Sequence, residues 1–169
     1  MASFDYEVPP PVSPVDQGQA NLCWLAATAV LYGWKSPRPV TMAKAAERLG
    51  VEFVAKYGTG SALTYDELPL WRQRGPFRAE GQQCMDARGW DAKLRGFGPL
   101  ITLVDGSGSR IIDHAVVVYG VSGDGTQNGT HLKFADGNGG TSRELALTDF
   151  VQIFELPTGS DRLFSVLYF

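Results

Sequence analysis

Asp16-Gln17-Gly18-Gln19-Ala20-Asn21-Leu22-Cys23-Trp24-Leu25-Ala26-Ala27-Thr28-Ala29-Val30 passes from a polar, glycine-containing loop into a run of apolar and small residues that continues to about Gly33. The run has helical character, which places Cys23 at the start of a helix. Unpaired N–H groups of a first helical turn, with the positive end of the helix dipole, favour an anion, and for a cysteine that means thiolate over thiol. Gln17 stands six residues upstream on a loop that can fold back over the helix end. Its side-chain amide is a candidate donor to an oxyanion beside the sulfur, with the Cys23 N–H as the second donor. An unpaired cysteine alone is more often a small buried hydrophobe, so the reading depends on its company.

That company is found farther along. Ile111-Ile112-Asp113-His114-Ala115-Val116-Val117-Val118-Tyr119-Gly120 reads as a polar entry into a buried strand with His114 at its edge. Thr130-His131-Leu132-Lys133-Phe134-Ala135-Asp136 is a second strand that breaks into Gly137-Asn138-Gly139-Gly140, and Asp136 at its end is a candidate to orient an imidazole. The order along the chain is nucleophile, base, orienter, the three roles that nucleophilic catalysis by a thiol uses.

These residues resemble a known family. Gln17-Gly18 followed by Cys23-Trp24 and a helix of small residues is similar to the active-site segment of papain-like cysteine proteases, and Asp113-His114-Ala115-Val116 is similar to their histidine strand. The resemblance is greatest to the compact bacterial branch, the AvrRpt2-like peptidases and related effector or toxin domains. It implies Cys23 as nucleophile, His114 as general acid/base, Asp136 as orienter and Gln17 as the oxyanion-hole side chain. Two departures stand out. Papain has Asn followed by Ser-Trp at the third position, where this chain has Asp136-Gly137, which leaves Asn138 as a competitor. Leu25 occupies a place where the family usually carries a small residue.

A chain of 169 residues is expected to form one domain, 1–169, with a real core. Hydrophobic residues at 44% and charged residues at 20% are ordinary for a globular protein. A net charge of -3 lacks the basic footprint of a nucleic-acid partner, and no stretch reaches the ~18–20 apolar residues of a membrane span. No basic and then apolar segment of a signal peptide opens the sequence. Cys23 and Cys84 are the two cysteines, too few for a disulfide scaffold. A bridge between them would silence the nucleophile. A zinc site from Cys23, Cys84, His114 and His131 lacks the close pairwise spacing of structural zinc, so no metal or other cofactor is expected, and Cys84 reads as a structural or surface thiol.

Tyr6-Glu7-Val8-Pro9-Pro10-Pro11-Val12-Ser13-Pro14-Val15 is an extended, proline-rich path. It reads either as a ligand for a proline-binding partner or as a strap that delivers Gln17 to the site, and the strap is preferred. The helix from Cys23 to Trp34 is apolar on nearly every face, as a helix buried on all sides should be. Thr41 can cap a helix that Gly50 stops, and a short segment through Val54 and Tyr57 ends at Gly58-Thr59-Gly60. Residues 63–71 read as turns or short helices broken at Pro69, with Trp71 in a small core or beside a cleft. A last helix spans 85–95, with Trp90 and Leu94 inward. Strands are expected at 100–104, 113–121, 130–135, 142–147 and 163–169. Asp105-Gly106-Ser107-Gly108-Ser109 lacks the lysine and following helix of a phosphate loop, and the loop 122–129 lacks the regular ligand spacing of a calcium site. The fold class is therefore α+β: a helical half at about 16–97, holding the nucleophile helix, packed on an antiparallel sheet or half-barrel at about 98–169.

The function that follows is a cysteine endopeptidase. Its partner is a protein or peptide substrate, with neither nucleic acid nor membrane. The resemblance further implies a toxin or effector domain acting on target-cell proteins, secreted or delivered into the target-cell cytoplasm within a larger protein. No propeptide is visible, so restraint is expected from a separate immunity protein. Double-glycine leader peptidases, glutamine deamidases or transglutaminase-like enzymes, and cell-wall amidases share the Cys, His, polar-residue order. An inactive papain-like binding module is the alternative of another class.

Overall fold

The nucleophile helix is α1, Cys23–Trp34, and every residue from Cys23 to Tyr32 is buried. Such a helix has no polar face to keep wet, which is why its sequence shows no amphipathic stripe. The computed structural model describes residues 3–80, 85–105, 109–155 and 163–169, with backbone alone at 105, 155 and 163–165. Cys84, with the disfavoured bridge and zinc site that need it, and most of the glycine turn after residue 105 lie outside the described residues.

Three further helices follow α1. Helix α2, Met42–Leu49, starts where the Thr41 hydroxyl accepts the Lys44 N–H at 3.2 Å. It gives way at Gly50, whose φ of 121° a side chain would strain, to α3, Val51–Gly58. A single turn, Tyr65–Glu67, then leads into α4, Leu68–Arg74. Glu67 Oε2 accepts the Thr64 N–H at 2.8 Å and so closes the entry to that turn. Pro69 does not break this segment: it lies in the first turn of α4, where its missing N–H has no partner to lose. Trp71 is a core residue. It is fully buried, and its indole N–H donates to Thr28 Oγ1 at 3.2 Å, while that hydroxyl donates to the Trp24 carbonyl at 2.8 Å.

The strands are β1, Phe4–Glu7; β2, Arg78–Glu80; β3, Leu100–Asp105; β4, His114–Gly123; β5, Thr130–Asp136; β6, Thr141–Ala146; and β7, Leu163–Tyr168. They form one antiparallel sheet in the order β2-β7-β3-β4-β5-β6, and β1 pairs with the far end of β4, Gly120–Gly123. Helix α5, Ala87–Phe97, begins at Asp86, whose carboxylate accepts the Gly89 N–H at 2.8 Å. A short α6, Leu147–Phe150, runs into a wider helical turn, Val151–Glu155.

The helices do not form one layer. Leu25, Ala29 and Leu31 of α1 share a core with Leu49, Trp71, Ile101, Leu103, Val117 and Leu167. Trp90 and Leu94 of α5 join Phe150 and Phe154 in a second core against Val116, Val118, Phe134 and Val166. Neighbouring residues of a strand point to opposite faces, so Val116 and Val117 enter different cores. The sheet is thus covered on both sides, with α1 on one and α5 on the other. The strands β1 and β2 within the N-terminal half are also additional to the expected pattern. The half-buried and exposed residues of Phe4-Asp5-Tyr6-Glu7 alternate, the period of an edge strand, but the prolines that follow obscure it. Those prolines do form a strap. Trp34 Nε1 donates to the Pro9 carbonyl at 3.3 Å and Val8 N–H to the Tyr119 carbonyl at 2.9 Å.

Candidate active site

Helix α1 begins without a side-chain cap, because Leu22 has none to offer. The N–H groups of Leu25 and Ala26 turn back to the Leu22 carbonyl at 3.0 Å each, and the N–H groups of Cys23 and Trp24 reach the Cys23 sulfur. A third donor comes from across the sheet, the N–H of Ala115, the residue after His114. Cys23 therefore sits between the helix end and the entry to β4.

The register of β4 with β5 brings the other groups together. Val116 pairs with Asp136, and His114 lies two residues before Val116, so His114 and Asp136 share a sheet face. His114 Nε2 is 3.2 Å from Asp136 Oδ1. The imidazole is about three-tenths exposed, whereas the carboxylate is buried. Asn138 is exposed. Its backbone N–H donates to Asp136 Oδ1 at 2.9 Å, so it braces the carboxylate that meets the ring, and Asn138 itself lines both cavities beside His114.

Gln17 is fixed to the same turn. Its N–H donates to the Gly137 carbonyl at 2.8 Å, and its side-chain oxygen is buried without a hydrogen-bond partner. That oxygen would lie 3.0 Å from a Cβ at Gly137, as would the Ala26 Cβ on the other side. Glycine is what the close approach admits. Gln17, His114 and Asn138 line one cavity of about 510 Å³. His114 also lines a second of about 370 Å³, with Phe134, Asp136, Arg143 and Phe154. The histidine stands where the two meet.

The family model described as papain-like cysteine protease AvrRpt2 matches residues 4–155. The chain belongs to that family. No curated protein sequence matches it. In this papain-like cysteine protease the matched span includes Gln17, Cys23, His114 and Asp136 and ends before β7. Mixed helices and antiparallel strands are compatible with the α+β papain-like class.

The electrostatics of Cys23 differ from the expectation for an exposed helix end. Burial pushes the thiol up from its ordinary value of 9.0 to about 11, and the nearby Asp136 charge adds to the rise, against the lowering by the three N–H donors. Desolvation outweighs the helix end because the residue is only 2% exposed. In an unfolded chain the thiol ionises at its ordinary value, so the folded state is favoured below about pH 9 and loses that advantage between about pH 9 and 11. The loss amounts to about 2–3 kcal/mol. Chemical unfolding across that window should show a steeper fall for the wild type than for Cys23→Ala, and parallel curves would contradict the burial of the thiol.

Two side chains at this site carry no signal in the local sequence. Arg143 Nε lies 3.3 Å from Asp136 Oδ2, and the Phe154 ring lies 6.1 Å from the imidazole and within 17° of parallel. Only the pairing of Phe134 with Arg143 in β5 and β6 places the arginine near Asp136. Among the described residues, no group of three or more His, Cys, Asp and Glu side chains could hold a metal ion, and no helix is long and apolar enough to cross a membrane.

Proposed function

We propose that residues 1–169 form a single peptidase domain that hydrolyses peptide bonds in protein substrates, with Cys23 as nucleophile, His114 as acid/base, Asp136 as its orienter and Gln17 in the oxyanion hole. The observation that carries this reading is the contact of His114 Nε2 with Asp136 Oδ1 at 3.2 Å, at the strand entry whose next N–H reaches the Cys23 sulfur. With Nε2 engaged, Nδ1 is the nitrogen left to serve the thiol. Cys23 gives its proton to Nδ1 as the sulfur bonds to the substrate carbonyl carbon, a base-assisted attack suited to a thiol whose ionisation burial opposes. The oxyanion is held by the Cys23 N–H and the Gln17 amide N–H, the amide end left to the cleft by its buried oxygen. His114 then returns the proton to the departing nitrogen, the C–N bond breaks, and water hydrolyses the thioester to restore the thiol.

The test is cleavage of a proteome-derived peptide mixture by the wild type and its variants, with cut ends read by mass spectrometry. Gln17→Ala should lose roughly 10²–10³ in kcat, the usual effect of one oxyanion donor, with little change in melting temperature. Ammonia release from glutamine without chain cleavage would replace the peptidase with a deamidase. We further propose, from the resemblance to effector peptidases, that the domain acts as a toxin or effector on target-cell proteins after delivery to the target-cell cytoplasm and is restrained by an immunity protein.

A further inference from the structure

Asp136 is a buried carboxylate, and its two oxygens face different partners. Oδ1 meets His114 Nε2 and the Asn138 N–H, while Oδ2 lies 3.3 Å from Arg143 Nε. While the imidazole is neutral, Arg143 is the only formal cation on that carboxylate among the described residues. A buried carboxylate left with a single histidine has two ways to lower its energy: to take up a proton, or to hold the imidazole as imidazolium. The first takes away the charge that orients the ring, and the second removes the neutral base that attack requires.

We propose that Arg143 is a positioning residue of the active site, acting through Asp136 to keep that carboxylate charged and turned to His114 while drawing part of its field away from the imidazole. The inference rests on the Cys23–His114 peptidase reading. Arg143 is placed for this by β6, where it lies opposite Phe134, two residues from Asp136 on the same face. The charged and titratable groups that line the two cavities with His114 are Asp16 from the loop before α1, Asp113 just before β4, Asp136 from β5 and Arg143 from β6, and the Cys23 thiol of α1 meets the N–H of the next residue, Ala115. Phe154 closes the remaining side with an apolar ring. Arg143 is therefore the one cation in an otherwise acidic surround of the described side chains. Its side chain is 52% exposed, so solvent screens part of its effect.

The sign of the effect is fixed by charge. Loss of a cation makes proton uptake easier at every group nearby, so Arg143→Gln should raise the His114 titration midpoint by about half a pH unit, a close-charge effect reduced for exposure. The chain has two histidines, and His131 serves as an internal reference in the same NMR titration. The pH profile of kcat/KM should move upward on both limbs, and kcat on the acid limb should fall about threefold, the rate equivalent of half a unit. KM should stay within about twofold, since the proposed action is on the base rather than on substrate binding. Arg143→Lys, which keeps the charge, should restore the midpoint and the profile. An unmoved His114 midpoint in folded Arg143→Gln would overturn the proposal, as would a raised KM with unchanged kcat, or Arg143→Lys behaving like Arg143→Gln. A wild type that cleaves no peptide would sink the peptidase reading instead, with the NMR titration still deciding whether Arg143 governs His114.

Discussion

Cys23→Ala is expected to lower peptide-bond cleavage by at least about 10⁴-fold, since a covalent mechanism has no substitute for its nucleophile. His114→Ala should fall to a similar level, because residues that act as one unit are not additive. Asp136→Ala should lose more than Asn138→Ala, whose backbone N–H survives the substitution and still braces residue 136. Initial rates on one cleaved peptide, with melting curves recorded alongside, make the comparison. Full activity in Cys23→Ala would end the peptidase proposal, and a deeper loss in Asn138→Ala than in Asp136→Ala would move the orienting role.

The largest effect on stability is expected at Trp71. Its ring is fully buried and packs 5.0 Å from Phe77, and its N–H closes a chain through Thr28 Oγ1 to the Trp24 carbonyl. Trp71→Ala empties that volume and removes the donor, with an expected loss of about 3–5 kcal/mol and a fall in melting temperature of roughly 10 °C. Trp71→Phe keeps most of the packing and should lose about 1 kcal/mol for the hydrogen bond. Equal effects of the two substitutions would show that packing contributes little there. Because α1 carries Thr28 and Trp24 as well as Cys23, the alanine variant should also lose activity before it unfolds.

The parts of this structure that local sequence could reveal are those with local causes. The apolar run of α1, the cap at Thr41, the stop at Gly50 and the β-branched run 116–118 each carry their own physical reason within a few residues. So does the placement of Cys23 at a helix start. What escaped was set by partners distant in the chain. β1 is a strand because Gly120–Gly123 accept it. Arg143 reaches Asp136 only through the register of β5 and β6. The ionisation of Cys23 turned on burial, which the motif around it does not encode: the same Asn-Leu-Cys-Trp run at an exposed helix end would favour the thiolate.

The pairing of β1 with β4 also governs when this protein can assemble. Residues 4–7 are synthesised well before their partners, 120–123, and β2 must await residues 166–168. Neither contact can form while the ribosome is still making the middle of the chain. A sheet closed by such distant pairings folds slowly and late, and the loop bearing Gln17 takes its position only when the turn at 136–140 exists to hold it. The nascent chain should therefore carry its thiol without a complete site until the turn at 136–140 has left the ribosome.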